Sequence, residues 1–181
     1  MDKVDYQLVR SDRKTVSIQL KPDGKVVVRA PKRMKRREID GFVESKRSWI
    51  ETHLEKLPAP QPKLTPAELQ TLARHAKEVI PEIVEHYAPL VGVTWGTITI
   101  RAQHTRWGSC TGKGNLNFNC LLMLAPDDVI EYVVVHELCH RKEMNHSFRF
   151  WAEVEKVLPD YRQRRGWLKE NGQLLIGRLD A

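Results

Sequence analysis

The chain has 181 residues, 41% hydrophobic and 29% charged, with a formal net charge of +7; this suffices for one full core, or one core plus a small accessory lobe. It opens MDKVDYQLVR, without an apolar leader, and no segment approaches the roughly 20 apolar residues of a spanning helix, so the cytoplasm is the expected location. Three cysteines without CxxC spacing exclude a disulfide scaffold and a four-cysteine zinc site; Cys110 and Cys120 could meet across a hairpin, but reduced thiols are expected.

From the N-terminus, residues 5–30 predict strands. The runs TVSIQL and KVVVRA are rich in β-branched residues, and Pro22-Asp23-Gly24 between them is a turn signal. Pro31 should end the second strand. Ile39, Phe42, Val43, Trp49, Ile50, Leu54 and Leu57 then recur at helical spacing, predicting one helix over 37–57. Residues 1–57 therefore form an expected basic lobe of β-hairpin and helix. Residues 1–60 hold fifteen Lys and Arg against nine Asp and Glu, +6 of the total charge, densest at Lys32, Arg33, Lys35, Arg36 and Arg37. Such a lobe suits a nucleic acid, a nucleotide or an acidic partner, or serves only as a solvated face.

The proline-rich stretch 58–66 predicts a linker, and 67–181 a catalytic domain. A helix is expected from about Pro66 to Tyr87, capped by Thr65, favoured by Glu68 near its positive end, and kinked or split at Pro81. VTWGTITIRA predicts a strand. After QHTRWGSC, Gly112 and Gly114 supply a turn and NLNFNCLLML a returning strand, placed like a sheet edge on which an extended peptide could pair. Asn117 and Asn119 share one of its faces. Pro126 with Asp127 and Asp128 opens a helix, and Ser147 can cap another, FRFWAEVEKVL, ended by Pro159. A short terminal segment bears Tyr161, Arg162, Arg164, Arg165 and Trp167; the three arginines could line a cleft or cover a face. Trp49, Trp95 and Trp151 are expected in the core.

The stretch VVVHELCHRKEMNHSFRFW carries the chemistry. His136 and His140 are four apart on a helix, so their imidazoles differ by only about 40° around its axis. Glu137 lies one step around, placed to reach a water rather than the ion. Two neutral nitrogen ligands with an adjacent carboxylate are what a metallohydrolase needs. His146 is the expected third ligand, with Glu153 or Glu155 on the following helix as competitors. Three ligands leave one coordination position open, the mark of a catalytic site. Cys139 reads as core. Arg106, in the tight link RWGSC, is a candidate clamp for an oxyanion or a phosphate, or holds its own loop by stacking on Trp107.

Together, VSIQLKPDGKVVVRAP, FVESKRSWI, RWGSC and the histidine stretch resemble a family of bacterial metal-dependent hydrolases, first catalogued as domain of unknown function 45. That family is grouped with WLM-related zincin-like metallopeptidases and is distantly related to the SprT-like proteases. The resemblance implies an α+β fold: a zincin-like metallohydrolase core, with mixed sheet and active-site helix, plus the small basic N-terminal lobe. It implies His136, His140 and His146 as metal ligands, Glu137 as general base, and Zn²⁺ or another divalent ion as cofactor. The implied activity is that of a peptidase on peptide or protein. A member of this family has been described as a UTP pyrophosphatase, so a nucleoside triphosphate is the rival substrate. A non-catalytic basic adaptor with a structural metal is a third class, against which the placement of Glu137 argues.

Overall fold

The β-branched runs near the N-terminus form strands, joined by one the pattern left undivided. The computed structural model describes residues 4–21, 23–55 and 61–179, and the chain divides into two units, Met1–Gln61 and Pro62–Ala181. In the first, β1 (Gln7–Ser11) pairs parallel with β3 (Val26–Pro31), and β2 (Ser17–Leu20) pairs antiparallel on the other side of β3. Pro22 of the expected turn lies outside the described residues; Gly24 takes φ +80°, a value glycine adopts without a Cβ penalty. The helix expected over 37–57 is instead two helices, α1 (Arg36–Ser45) and α2 (Arg47–Glu55). Lys46 breaks the run by leaving helical geometry, at φ −108° and ψ 9°, its N–H turning back to Val43 O. The break brings Ile39, Val43 and Ile50 onto the same apolar cluster as Val26, Val28 and Ala30. The expected helix end, Lys56 and Leu57, is outside the described residues, as is 58–60 of the expected linker. Trp49, expected in the core, is 43% exposed.

The second unit is built on α3 (Pro66–Val91), whose N-terminus is closed by a reciprocal cap: Thr65 Oγ1 accepts from Glu68 N–H, and Glu68 accepts from Thr65 N–H. The helix runs through Pro81 and Pro89 as one element, so the split that Pro81 could have caused does not occur. Its stripe of Ala76, Ile80, Val84, Ala88 and Val91 is buried on both sides of Pro81, so packing sustains the helix across the missing N–H.

A mixed sheet follows in the order β4-β6-β5, formed by β4 (Ile98–Arg101), β5 (Gly108–Cys110) and β6 (Leu116–Asn119). β6 is parallel to β4 and antiparallel to β5. Being central, it has no free side, so the peptide-pairing edge expected on NLNFNCLLML is not there; β4 and β5 are the two edges, and β5 is the one beside α4. The strand also stops at Asn119, and 120–124 form a 3₁₀ turn. Asn119 causes the stop, because its Oδ1 accepts from Leu121 N–H and competes with strand extension.

Three helices complete the unit: α4 (Asp127–Cys139), α5 (Phe148–Val157) and α6 (Tyr161–Ile176). The last replaces the expected short segment; Leu168 packs on the main core, and Ile176 joins Leu64, Leu121 and Leu179 in a second cluster. Ser147 occupies the N-cap position of α5, but its hydroxyl makes no capping bond, contrary to expectation. The whole is α+β, a mixed sheet backed by the helix that carries the histidines. Among the described residues no helix is long and apolar enough to cross a membrane.

Candidate metal centre

Helix α4 is buried through Val129, Ile130, Val133, Val134, Val135 and Leu138. Each such side chain, removed from water, contributes roughly 1.5–3 kcal/mol, so the last turn is held firmly where His136 and Glu137 project. His140 ends the helix as its C-cap. The chain then bends: Arg141 N–H returns to Leu138 O, and Lys142 and Glu143 N–H to Cys139 O. This turn brings His146 back over the helix end. One nitrogen from each of His136, His140 and His146 lies within 4.8 Å of the others, a group that could hold a metal ion.

The three rings share a floor. Phe150, fully buried, has its ring centroid 4.8 Å from His136, 4.5 Å from His140 and 4.8 Å from His146. Trp151 lies 5.9 Å from His136 and 5.7 Å from His146, its plane nearly parallel to the latter. Sequence reasoning placed Trp151 in the core and passed over Phe150, which no local spacing marks because His146 precedes α5.

The chemistry of the donor set fits a divalent cation. His140 Nδ1 is 3.0 Å from Glu143 O; a carbonyl only accepts, so Nδ1 bears the proton and Nε2 keeps its lone pair for a ligand. Burial, then the neighbouring His140 and His146 and the Arg165 charge, push His136 down to about 3. Burial likewise lowers His140, partly offset by its bond to Glu143. Both imidazoles are neutral near pH 7, the form that ligates. Nε2 of His136 and His146 are 2.9 Å apart, near the roughly 3.3 Å edge of a tetrahedron with zinc–nitrogen bonds of about 2.05 Å.

Glu137 is 5% exposed, and burial raises its pKa to about 8. Its Oε2 is buried without a hydrogen-bond partner. Gly108 at the start of β5 lies directly against it: a Cβ there would sit 2.6 Å from Glu137 Oε1 and 2.7 Å from its Cγ. The glycine of RWGSC is thus a vacancy shaped for the glutamate. The tryptophan of that motif packs the other way, onto α6, where a Cβ on Gly172 would meet Trp107 Nε1 at 3.1 Å. Asn119, a residue the sequence did not single out beyond its strand face, ties the loop down through Nδ2 to the carbonyls of Gln103 and Arg106, at 2.7 and 2.9 Å.

The other expected residues fall elsewhere. Glu153 is paired with Lys142 and Lys156, and Glu155 with Arg162. Arg106 is exposed, and its guanidinium has no hydrogen bond and no stacking contact with Trp107 among the described residues. Cys139 is buried, its thiol pushed up to about 12 by burial. All three cysteines are free, and Cys110 stands across from Leu116, not Cys120. In the first unit a hollow of about 880 Å³ is lined by Arg36, Arg37 and Arg47, but Arg36 is paired with Asp40 and Arg47 with Glu44 and Glu51.

A family model described as the YgjP-like metallopeptidase domain matches residues 14–72 and 61–171. The chain belongs to the YgjP-like metallopeptidase family. The metal-dependent hydrolase kinship suggested by the motifs thereby stands, and this YgjP-like chain carries a histidine triad suited to a metal. Two solved structures are similar to half of it. One is the metallopeptidase zymogen abylysin of Pyrococcus abyssi, at TM-score 0.46 and 25% identity over 50% of this chain and 94% of that one. The other is the metallopeptidase zymogen jannalysin of Methanocaldococcus jannaschii, at TM-score 0.45 and 18% identity over the same shares. No curated protein matches the chain.

Proposed function

We propose that this chain is a zinc-dependent peptidase in which His136, His140 and His146 hold the ion and Glu137 is the general base. The observation that carries this is the buried Glu137 carboxylate, with one oxygen unpartnered, beside three imidazoles gathered on one floor. Bound there, the ion would supply Lewis acidity, activating a water and polarising the scissile carbonyl. Glu137 takes the proton of the attacking water and later delivers it to the leaving amine.

The sheet edge supports a peptide substrate. Asn119 N–H bonds to Trp107 O, and Thr111 N–H to Asn115 O. By the alternation of an antiparallel ladder, Trp107, Ser109 and Thr111 face β6, while the backbone groups of Gly108 and Cys110 point outward. An extended peptide added there would lie next to Glu137, because Gly108 is in contact with it.

A second reading keeps the site and takes a nucleoside triphosphate, releasing pyrophosphate. The +6 balance of residues 1–60 favours it, as do Arg33 and Arg37, which have no ion pair among the described residues. The same charge would serve a peptidase that works near nucleic acid. One panel separates these readings: denatured casein and a set of nucleotides, offered to the wild type and Glu137→Gln with defined metals. A peptidase cuts casein, spares UTP, and in Glu137→Gln keeps its metal while losing turnover. UTP cleavage that depends on Glu137 would transfer the assignment to the second reading, and full activity in Glu137→Gln would remove the glutamate from the mechanism.

A further inference from the structure

Helix α6 presents three arginines within four residues, and the structure sorts them. Arg164 is held by Glu131 at 2.7 Å, Asp160 at 2.9 Å and the Asp128 carbonyl at 2.9 Å, with its side chain 13% exposed. Arg162 is paired with Glu155 at 2.7 Å and lies over Tyr161. Arg165 alone of the three has no carboxylate partner among the described residues. Its guanidinium carbon instead stands 4.5 Å over the ring of Trp151. Trp151 in turn contacts two of the three imidazoles and stacks on Tyr161, 5.4 Å away and 13° from parallel. An exposed arginine ordinarily spends its charge on a nearby acid or on solvent. This one is set on an aromatic plane that belongs to the wall of the metal centre, which fixes it without neutralising it.

We propose that Arg165 is the side chain that takes up the negative charge developing on the substrate oxygen at the metal centre. The proposal rests on the hydrolase reading of that site and names a catalytic group for it. In peptide hydrolysis the water oxygen bonds to the carbonyl carbon as its proton passes to Glu137. The carbonyl π electrons move onto oxygen, which becomes the anion that the Arg165 N–H donors meet. Return of that electron pair breaks the C–N bond, and the amine leaves with the proton from Glu137. Arg165 stays protonated throughout, as a guanidinium must, and its planar fork can give two donors to one oxygen or one to each of two. Arg106, the arginine singled out by motif, has no comparable anchor.

The test uses Arg165→Ala and Arg165→Lys, with Arg162→Ala as control. Steady-state kinetics are measured on the peptide cut fastest, in free-acid and C-terminally amidated forms. Separately, the Co²⁺-loaded proteins are titrated with inorganic phosphate and followed by the visible cobalt spectrum. Arg165→Ala should lower kcat about a hundredfold, the usual effect of losing an oxyanion donor, with KM within about twofold and metal content unchanged. It should weaken phosphate binding about tenfold, Arg165→Lys should be intermediate, and Arg162→Ala should match the wild type. Phosphate binding unaltered in Arg165→Ala would overturn the proposal even if peptides are cut. So would a rise in KM confined to free-acid peptides, which would mark a carboxylate clamp instead. If the wild type cuts no peptide while phosphate binding still depends on Arg165, the peptidase reading fails and the anion-binding role stands.

Discussion

At the scale of single residues, Glu137 and His136 make opposite demands on pH. Burial raises Glu137 from its usual 4.5 to about 8, so between these values the folded chain keeps a proton that the unfolded chain has released. Its contribution to stability is full below pH 4.5 and is lost as pH rises through about 8. His136 is held down at about 3 from its usual 6.5, so its contribution is present above pH 6.5 and lost as pH falls through about 3. In chelator-treated protein, the urea midpoint of the wild type should therefore fall from pH 5 to pH 8 relative to that of Glu137→Gln, which has nothing to ionise. Parallel profiles would show that the carboxyl is not held protonated. The four-residue repeat that puts His136 and His140 on one side of a helix was legible in the sequence. Phe150 beneath the rings and Arg165 above Trp151 were not, because a ring floor and a cation–π seat depend on contacts between different helices.

At the scale of elements, β5 and α4 meet through a missing side chain. Gly108→Ala would put a methyl 2.6 Å from Glu137 Oε1 and 2.9 Å from its Cδ, distances real Cβ atoms do not tolerate, so the glutamate must move. We expect turnover to drop by at least about tenfold, since displacement near 1 Å can cost a hundredfold, while the zinc content measured by elemental analysis stays at the wild-type level. Normal turnover would mean the carboxylate can shift without consequence. The strand pattern of 115–124 misled because Asn119 reads as an ordinary polar position on a solvated face. It is 1% exposed and fully bonded to the carbonyls of 103 and 106 and the N–H of 121, a turn chemistry that hydrophobic alternation does not reveal. The continuous helix α3 misled for the opposite reason, since a local breaker was outweighed by a buried stripe on either side of it.

At the scale of the whole molecule, His136, His140 and His146, which could hold a metal ion, and the rings that support them all belong to the unit Pro62–Ala181. An ion that binds only the folded triad stabilises that unit by about 4 kcal/mol at a thousandfold excess over its Kd. Adding Zn²⁺ to stripped protein should raise the unfolding midpoint reported by tryptophan fluorescence, and replacing His136 and His140 by alanine should abolish that rise. A rise that persists in the double variant would show that the ion does not act through the triad. The individual strands and helices and the chain's charge asymmetry could be read from periodicity and composition, and the α+β class was implied by the motif resemblance; the sixteen-residue α6 could not be read, its polar arginine-rich start resembling a tail. That helix has a mechanical consequence. Gly172 makes room for the indole of Trp107, the next residue along is Gly108, and Gly108 makes room for Glu137, so these positions form a run of close contacts from α6 to Glu137. Bulk gained at 172 must be repaid by bulk surrendered at 107, or the strain arrives at Glu137; in related chains, these positions should therefore change in concert, not singly.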